Sequence, residues 1–376
     1  MLPTLTRHAG VRLVAAADPR EDARERFAAD FGGRAYDCVE SLCRNDEVEA
    51  IYVATPHELH AEHAILAARH GKHVLVEKPM AIDLAQAQAM VDAARLADVR
   101  LVVGPSHSFD APIARTRAIV ESGAVGRVRM ITAINFTDFL YRPRRPEELA
   151  TERGGGVVFS QAAHHVDIVR LLGGGRLQSV RAMTGAWDSA RPTEGAYSAL
   201  LVFDDGAFAS MTYSGNAHFD TDEFCDGVNE FGHAEDPAAY GAARRSLAGV
   251  RDAATEIDAK NARNYGGASY RATPGERPWH EHFGLIVVSC EGADLRPTPK
   301  GVWIHADTEK RFEPLEKPAI PRGAVIDEFC GAIASGRPTL HRGEWGVATL
   351  EACLAILQSA REGRGVMLSH QVAAIP

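Results

Sequence analysis

The chain has 376 residues, 45% of them hydrophobic and 24% charged, with a formal net charge of −9. This is ordinary globular composition, long enough for two domains with real cores. The acidic balance excludes a duplex nucleic-acid partner, which needs a basic stripe to displace counterions. No apolar run reaches the roughly 20 residues of a membrane span, and the first residues lack a signal-peptide apolar region. The six cysteines, Cys38, Cys43, Cys225, Cys290, Cys330 and Cys353, form no C-x-x-C pair. They are expected to be reduced, mostly buried thiols of a cytoplasmic protein.

The predicted elements open with Val11 to Ala17, a continuous apolar strand that ends at Asp18. Pro19 to Phe31 reads as a helix with proline in its first turn and Gly32-Gly33 at its end. Strands follow at Val48 to Ala54, Lys72 to Val76 and Leu101 to Val103. Helices lie between them at His60 to His70 and Leu84 to Ala97, the latter capped by Asp83. Alternation of this kind means βαβ units and a doubly wound parallel sheet. After Gly104-Pro105 and one more helix, Ile113 to Ser122, alternating strands take over. They are expected at 127–136, 180–186, 196–203, 208–215, 285–290, 293–297 and 302–306, with Asp204-Asp205-Gly206 as a hairpin turn. Residues 216–282 are polar and rich in Gly and Ala. They read as an insertion that covers a site, with a helix near Ala238–Arg251. Helices at Val325–Ser335 and Trp345–Glu362 close the chain. The expected fold is α/β. Residues 1–107 form a Rossmann-like dinucleotide-binding domain, and residues 108–376 an α+β domain with a large, mainly antiparallel sheet.

Asp18 ends the second strand of such a fold, where an acid accepts the adenosine ribose hydroxyls and repels a 2′-phosphate. A helix N-cap is the alternative. Arg20 softens the preference against NADP. The usual Gly-x-Gly-x-x-Gly lies roughly 20 residues before that acid. Only Gly10 precedes Asp18 here, just before a strand. The first strand and its phosphate loop are therefore expected to be missing, through a late start or a truncation. The alternative is a protein that has given up the cofactor.

Glu77-Lys78-Pro79 ends the apolar run His73-Val74-Leu75-Val76. That places a carboxylate and an ammonium where open parallel sheets hold their ligands. Thr55-Pro56 ends the preceding strand and offers backbone to flank a nicotinamide or adenine, or serves only as a turn. His57, His60 and His63 fall at helical spacing, but no Cys or carboxylate completes a ligand set, and no metal is expected. Gly154-Gly155-Gly156 leads into a helix carrying His164, His165 and Asp167. A histidine at a helix start beside a cleft is a candidate general base, with His164 favoured over His165. Arg142, Arg144 and Arg145 sit on a proline-stiffened loop. Guanidinium forks of this kind bind carboxylates, unless they pair with Glu147 and Glu148.

Asp18, Ala54-Thr55-Pro56…His60, Gly71 to Pro79 and Gly154-Gly155-Gly156…His164…Asp167 together resemble the glucose–fructose oxidoreductase, inositol dehydrogenase and MocA family (Gfo/Idh/MocA) over nearly the whole chain. The resemblance implies NAD(P) in the first domain, a substrate cleft against the second domain's sheet, and Lys78 and His164 as catalytic groups. Family members often carry an aspartate four residues before that histidine, where this chain has Ser160. Ser106 to Asp110, Asp138 to Leu149 and Val288 to Pro297 further resemble the phthalate 4,5-cis-dihydrodiol dehydrogenase branch. That branch takes a hydride from a cis-diol and yields a catechol, and a carboxylated diol would give the arginine loop a role. Sugar or inositol oxidation within the family, and a silent ligand-binding homologue, are the rival readings.

The expected site is then catalytic Lys78 and His164. Asp18, Arg20, Thr55, Pro56, His60, Glu77, Lys78, Pro79 and His107 stand around NAD or NADP. Arg142, Arg144, Arg145, Ser160 and Asp167 stand around an anionic small molecule. A broad antiparallel sheet needs cover on its outer face, so a homodimer or homotetramer through that sheet is expected.

Overall fold

The computed structural model describes residues 1–270 and 277–375. The first third follows the strand–helix alternation, as α1 (Leu2–Leu5), β1 (Ala15–Ala17), α2 (Glu21–Phe31), β2 (Arg34–Tyr36), α3 (Val39–Cys43), β3 (Ala50–Val53), α4 (His60–Arg69), β4 (His73–Val76), α5 (Leu84–Leu96) and β5 (Leu101–Val103). Local chemistry sets the ends. Gly32 closes α2 in the left-handed region at φ +65°, and the Asp83 side chain accepts from Gln86 N to cap α5. β2 and α3 escape sequence reading because three and five residues are too few to display a period.

All pairing in this part is parallel. β1 pairs with β2, and β3, β4 and β5 pair in that order. The two sheets share no hydrogen-bonded strand pair, so β1 and β3 are not partners.

The chain continues through α6 (Ala111–Glu121), β6 (Val128–Phe136), α7 (Ala163–Leu172), β7 (Leu177–Gly185), β8 (Ala196–Phe203), β9 (Phe208–Ser214), α8 (Ala242–Ala248), α9 (Ala253–Arg263), β10 (Leu285–Cys290), β11 (Ala293–Thr298), β12 (Gly301–Ala306), β13 (Lys310–Pro314), α10 (Gly323–Ser335), α11 (Gly343–Glu362) and β14 (Val366–Met367). Nine strands form one sheet in the order β13-β12-β11-β10-β6-β9-β8-β7-β14. β6 and β9 pair in parallel; the other pairs are antiparallel. Alternation along the strands buries Ile131, Ala182, Leu201 and Met211 on one face, with Val166, Val169 and Leu172 of α7 in the same core. The other face exposes Met130, Met183, Leu200 and Phe208.

The last two helices, which the sequence places in the second unit, cover the first unit's sheet. Val347 and Leu350 of α11 join the core built from β3, β4, α4 and α5. Val325, Ile326 and Phe329 of α10 pack with Leu75 and Val102 on the other face. The insertion expected over 216–282 includes 271–276, outside the described residues. Its helix near Ala238–Arg251 is shorter than expected, and α9 follows it. Tyr265 stacks on Phe31 at 6.2 Å and donates to Asp30 at 2.9 Å, which ties the insertion to α2.

Cys43, Cys225 and Cys353 are buried, Cys290 and Cys330 half-buried, and Cys38 exposed, so burial is less general than expected. Among the described residues no helix is long and apolar enough to cross a membrane.

Candidate active site

The carboxyl end of β4 and the start of α7 meet at a cleft of about 280 Å³. Glu77, Lys78, Ser106, His107, His164, Glu281 and Arg322 line it, with Phe109, Phe231 and Trp279 as apolar walls. Lys78 keeps part of its surface open to this cleft, yet its ammonium lies deep in the protein. Its Nζ donates to the backbone carbonyl of Ser160 at 2.6 Å. Burial pushes its pKa down to about 8; Glu77 opposes that shift, while Arg322 and Arg144 add to it. Glu77 is itself held by the Tyr52 hydroxyl.

The glycine triplet brings α7 to this place. Gly156 sits at φ +82°, and a Cβ there would stand 2.1 Å from the Glu194 carboxylate. Glu194 in turn accepts from Val158 N at 3.0 Å and holds the start of a wide π-turn, Val158–Ala162. Such turns recur at functional sites because they re-aim side chains. Ser160 lies in this turn and Ala163 begins the regular helix.

His164 Nδ1 is 3.4 Å from Ser106 Oγ, a weak bond, and its ring meets His107 edge-on at 4.8 Å. Burial, and then the Lys78 and His107 charges, hold its pKa well below the usual histidine range. The imidazole is therefore neutral at pH 7 and can accept or pass a proton. His107 is fixed by Asp110 at 2.7 Å. His165 is different: it is buried in the core, bonded to Tyr197 at 2.8 Å, with its pKa pushed down to about 3 by burial.

Three expectations change. The arginine loop does not present free forks to the cleft. Arg142 pairs with Glu230 and Asp138, and Arg145 with Glu147 and Glu148. Arg144 lies over the Phe139 ring at 3.6 Å and donates to the Phe139 carbonyl at 2.8 Å. The carboxylates that the sequence offered as the bland partners do bind them. Asp167 does not line the cleft either. Its carboxylate is buried behind Lys78 and accepts from Trp345 Nε1 and Ser108 Oγ. His60 is fully buried, bridging the Thr55 and Pro79 carbonyls at 2.8 Å each, so it braces the strand ends instead of facing a ligand.

Sequence reading missed Arg322, Glu281, Ser106 and Trp279. Arg322 stands at φ +57° at the start of α10 and holds Glu281 at 2.9 and 3.0 Å. A cation between Pro321 and Gly323 was the signal available. His107, Asp110 and Glu281 bring ligand atoms within 4.8 Å of one another. Asp110 Oδ2 bonds His107 Nδ1, and Arg322 Nε bonds both Glu281 oxygens.

Dinucleotide fit can be judged at both ends. Asp18 accepts from Arg20 N at 2.9 Å and pairs with the Arg20 guanidinium through both oxygens at 3.2 Å. The carboxylate stays half-exposed at the end of β1, where a ribose would meet it. Arg20 is also tied to the Tyr265 carbonyl at 3.0 Å, so it is engaged, not free for a 2′-phosphate. At the other end, the half-exposed Thr55-Pro56 and Glu77-Lys78 flank the space a nicotinamide would take. The residues present fit the ribose and nicotinamide ends.

Comparison with known proteins agrees with this geometry. The profile of the oxidoreductase family with an NAD-binding Rossmann fold matches residues 1–105, and that of the Gfo/Idh/MocA C-terminal domain matches residues 113–226. A 1-carboxy-3-chloro-3,4-dihydroxycyclohexa-1,5-diene dehydrogenase of Comamonas testosteroni is 46% identical over 96% of this chain and 91% of its own. The crystal structure of a candidate dehydrogenase from Bordetella bronchiseptica RB50 superposes with a TM-score of 0.91 at 41% identity, covering 98% of this chain and 96% of that one. An aldose–aldose oxidoreductase of Caulobacter crescentus, 22% identical over 97% and 94% of the two chains, shares the fold at a TM-score of 0.72. The chain belongs to the Gfo/Idh/MocA family of NAD-binding oxidoreductases.

Proposed function

We propose that the protein oxidises a carboxylated cis-dihydrodiol at the cleft between β4 and α7, with Lys78 as the base. The observation that carries this is a lysine with a pKa near 8 beside a neutral histidine at the carboxyl end of a Rossmann strand. The similarity to a dehydrogenase of a carboxylated dihydroxycyclohexadiene names the substrate class. When bound, the nicotinamide accepts the hydride. Lys78 takes the proton of the carbinol hydroxyl as hydride leaves the same carbon, and the resulting ketone tautomerises to a catechol. His164, neutral, accepts a hydrogen bond from the second hydroxyl and orients the ring. Phe109, Phe231 and Trp279 give the ring an apolar wall. Arg322 lines the cleft with its Nε paired to Glu281, and we propose that its other guanidinium nitrogens take the substrate carboxylate, in the role expected of the arginine loop.

Formation of NADH from a carboxylated cis-diol, compared with its decarboxylated analogue, tests this reading. A clear preference in kcat/KM for the acid supports it, and equal values remove the carboxylate from the substrate class. Polyol turnover above diol turnover would move the activity to the sugar side of the family.

We further infer a homo-oligomer through the nine-stranded sheet, because its outer face exposes Met130, Leu200 and Phe208. Light scattering reads this directly, with a monomeric mass as the contrary result. Cytoplasmic location is part of the same reading, resting on six free cysteines.

A further inference from the structure

Glu194 is a buried carboxylate that the hydride and proton steps do not use. It stands in the loop between β7 and β8 and grips the start of the histidine-bearing helix twice. Its backbone carbonyl accepts from Val157 N at 3.2 Å, and its Oε1 accepts from Val158 N at 3.0 Å. These are consecutive N–H groups at the opening of a helical stretch, where no intrahelical acceptor exists. Glu194 therefore caps the helix from a distant part of the chain. Its other oxygen is fixed as well. Oε2 accepts from Thr151 Oγ1, and from Thr193 Oγ1 at 3.1 Å. Burial raises the pKa of this carboxyl, while the bonds donated by Thr151, Val158 and Thr193 pull it the other way. The missing side chain of Gly156 leaves the room that the carboxylate fills.

The gripped residues run straight into the π-turn, whose Ser160 carbonyl takes the Lys78 ammonium at 2.6 Å. Val157 and Val158 pack into the core under the nine-stranded sheet, and Phe159 into the core of the first unit. That packing docks the turn between the two units. The direction of the Ser160 carbonyl follows instead from the peptide planes before it, and the bonds of Val157 and Val158 to Glu194 set those planes. A hydrogen bond from an ammonium is about twice as strong as one between neutral groups, so its aim matters most once Lys78 carries the proton.

We propose that Glu194 is a positioning residue for the reaction: it aims the Ser160 carbonyl at Lys78, so that the ammonium has its acceptor as soon as the carbinol proton arrives. This rests on Lys78 being the base. Glu194 does not line the cleft and acts through the turn alone. Other groups face Lys78 directly. Glu77, Arg322, Arg144 and Cys353 act on its charge, and His57 and His164 feel that charge in turn. Asp167 stands with Cys353 around a small cavity behind it. Changes at position 194 leave all of these side chains in place.

The test is Glu194→Ala against Glu194→Gln, read by carbon-13 NMR of ε-labelled lysine through a pH titration. The Lys78 signal is identified by its loss in Lys78→Arg. Alanine removes the acceptor of Val158 N, whereas glutamine keeps an acceptor and removes only the charge. In Glu194→Ala the ammonium loses its aimed carbonyl, so the charged form is less favoured. Its pKa should fall by about one unit, the size expected from one lost hydrogen bond to a charged group. Glu194→Gln should titrate like the native protein. No shift in a folded Glu194→Ala overturns the positioning. Equal shifts in both variants also overturn it, because they mean that charge acts across space. If Glu194→Ala does not fold, Thr151→Val decides, since it frees the carboxylate on one side: a smaller fall in the same direction supports the proposal and an unchanged pKa overturns it. NADH formation is followed alongside. In Glu194→Ala kcat/KM should level off about tenfold lower, within the hundredfold that a misplacement of about 1 Å can cost. Its pH inflection should follow the NMR value. A lysine pKa that falls while the inflection stays put overturns the base assignment and leaves the hold of Glu194 on Lys78 standing.

Discussion

Two groups of basic side chains lie around the site, the arginine loop and the cleft pair Lys78 and His164, and they differ in what holds them. The arginine loop places three guanidinium groups within four residues, and carboxylates hold them. Asp138 and Glu230 pair with Arg142, and Glu147 and Glu148 with Arg145; Glu148 also takes Lys260 and lies 3.7 Å from Arg144. The cleft holds Lys78 and His164 with neutral dipoles, a carbonyl at 2.6 Å and a serine hydroxyl at 3.4 Å. The pKa values of Arg142 and Lys78 follow this difference, whereas burial lowers Arg144, which bonds the Phe139 carbonyl, to about 10. Burial works against the Arg142 charge, but Glu230 and Asp138 more than offset it and hold the guanidinium above its ordinary value. Burial wins at Lys78 and lowers it to about 8. A cation paired directly with carboxylates serves the fold, while one hydrogen-bonded to a dipole and buried keeps a titration that chemistry can use.

The sharpest break of this contrast is Lys78→Ala. Loss of the base should lower kcat by about a thousandfold, within the range of a single proton-transfer group, with little change in melting temperature. NADH formation and a thermal melt measure the two. Activity within tenfold of native would end the assignment. His164→Gln should cost less, about thirtyfold in kcat/KM, because it removes orientation and one acceptor but leaves the base. The contrary pattern belongs to the loop. Arg142→Gln leaves Glu230 and Asp138 without their cation and should destabilise by about 2 kcal/mol, lowering Tm by several degrees. Its kcat should stay within threefold of native. A large loss of kcat with an unchanged Tm would instead restore the loop to the substrate site.

Much of this contrast could be read from the sequence, though not its sign. Lys78 was legible because an apolar β-branched strand that ends in Glu-Lys-Pro has few structural uses. His164 was legible because three glycines before a histidine-bearing helix mark a backbone that must pass close to something, and Gly156 indeed passes against Glu194. The arginines misled because composition shows forks but not their partners. Glu230 lies 88 residues from Arg142 in the chain, and no local pattern joins them. Arg322 was invisible for the same reason. It reaches the site only because α10 folds back over the parallel sheet, a tertiary arrangement that periodicity does not encode.

The smallest expected effect probes the electrostatics of the cleft alone. Lys78 must be neutral to take a proton, so kcat/KM for oxidation should rise with pH and level off above about 8, the pKa to which burial lowers it. Glu77 raises that pKa and Arg322 lowers it. Glu77→Gln keeps an acceptor for the Tyr52 hydroxyl but removes the charge that favours the ammonium. The inflection should then move to lower pH. Arg322→Gln removes a cation that disfavours the ammonium and frees Glu281, which it now holds, so the inflection should move to higher pH. The shifts have opposite signs although both variants remove one charge from the same cleft. Equivalent substitutions at Glu230 and Arg142 should leave the inflection where it is. Inflections that moved together, or moved with the loop variants, would mean that a group other than Lys78 sets the profile.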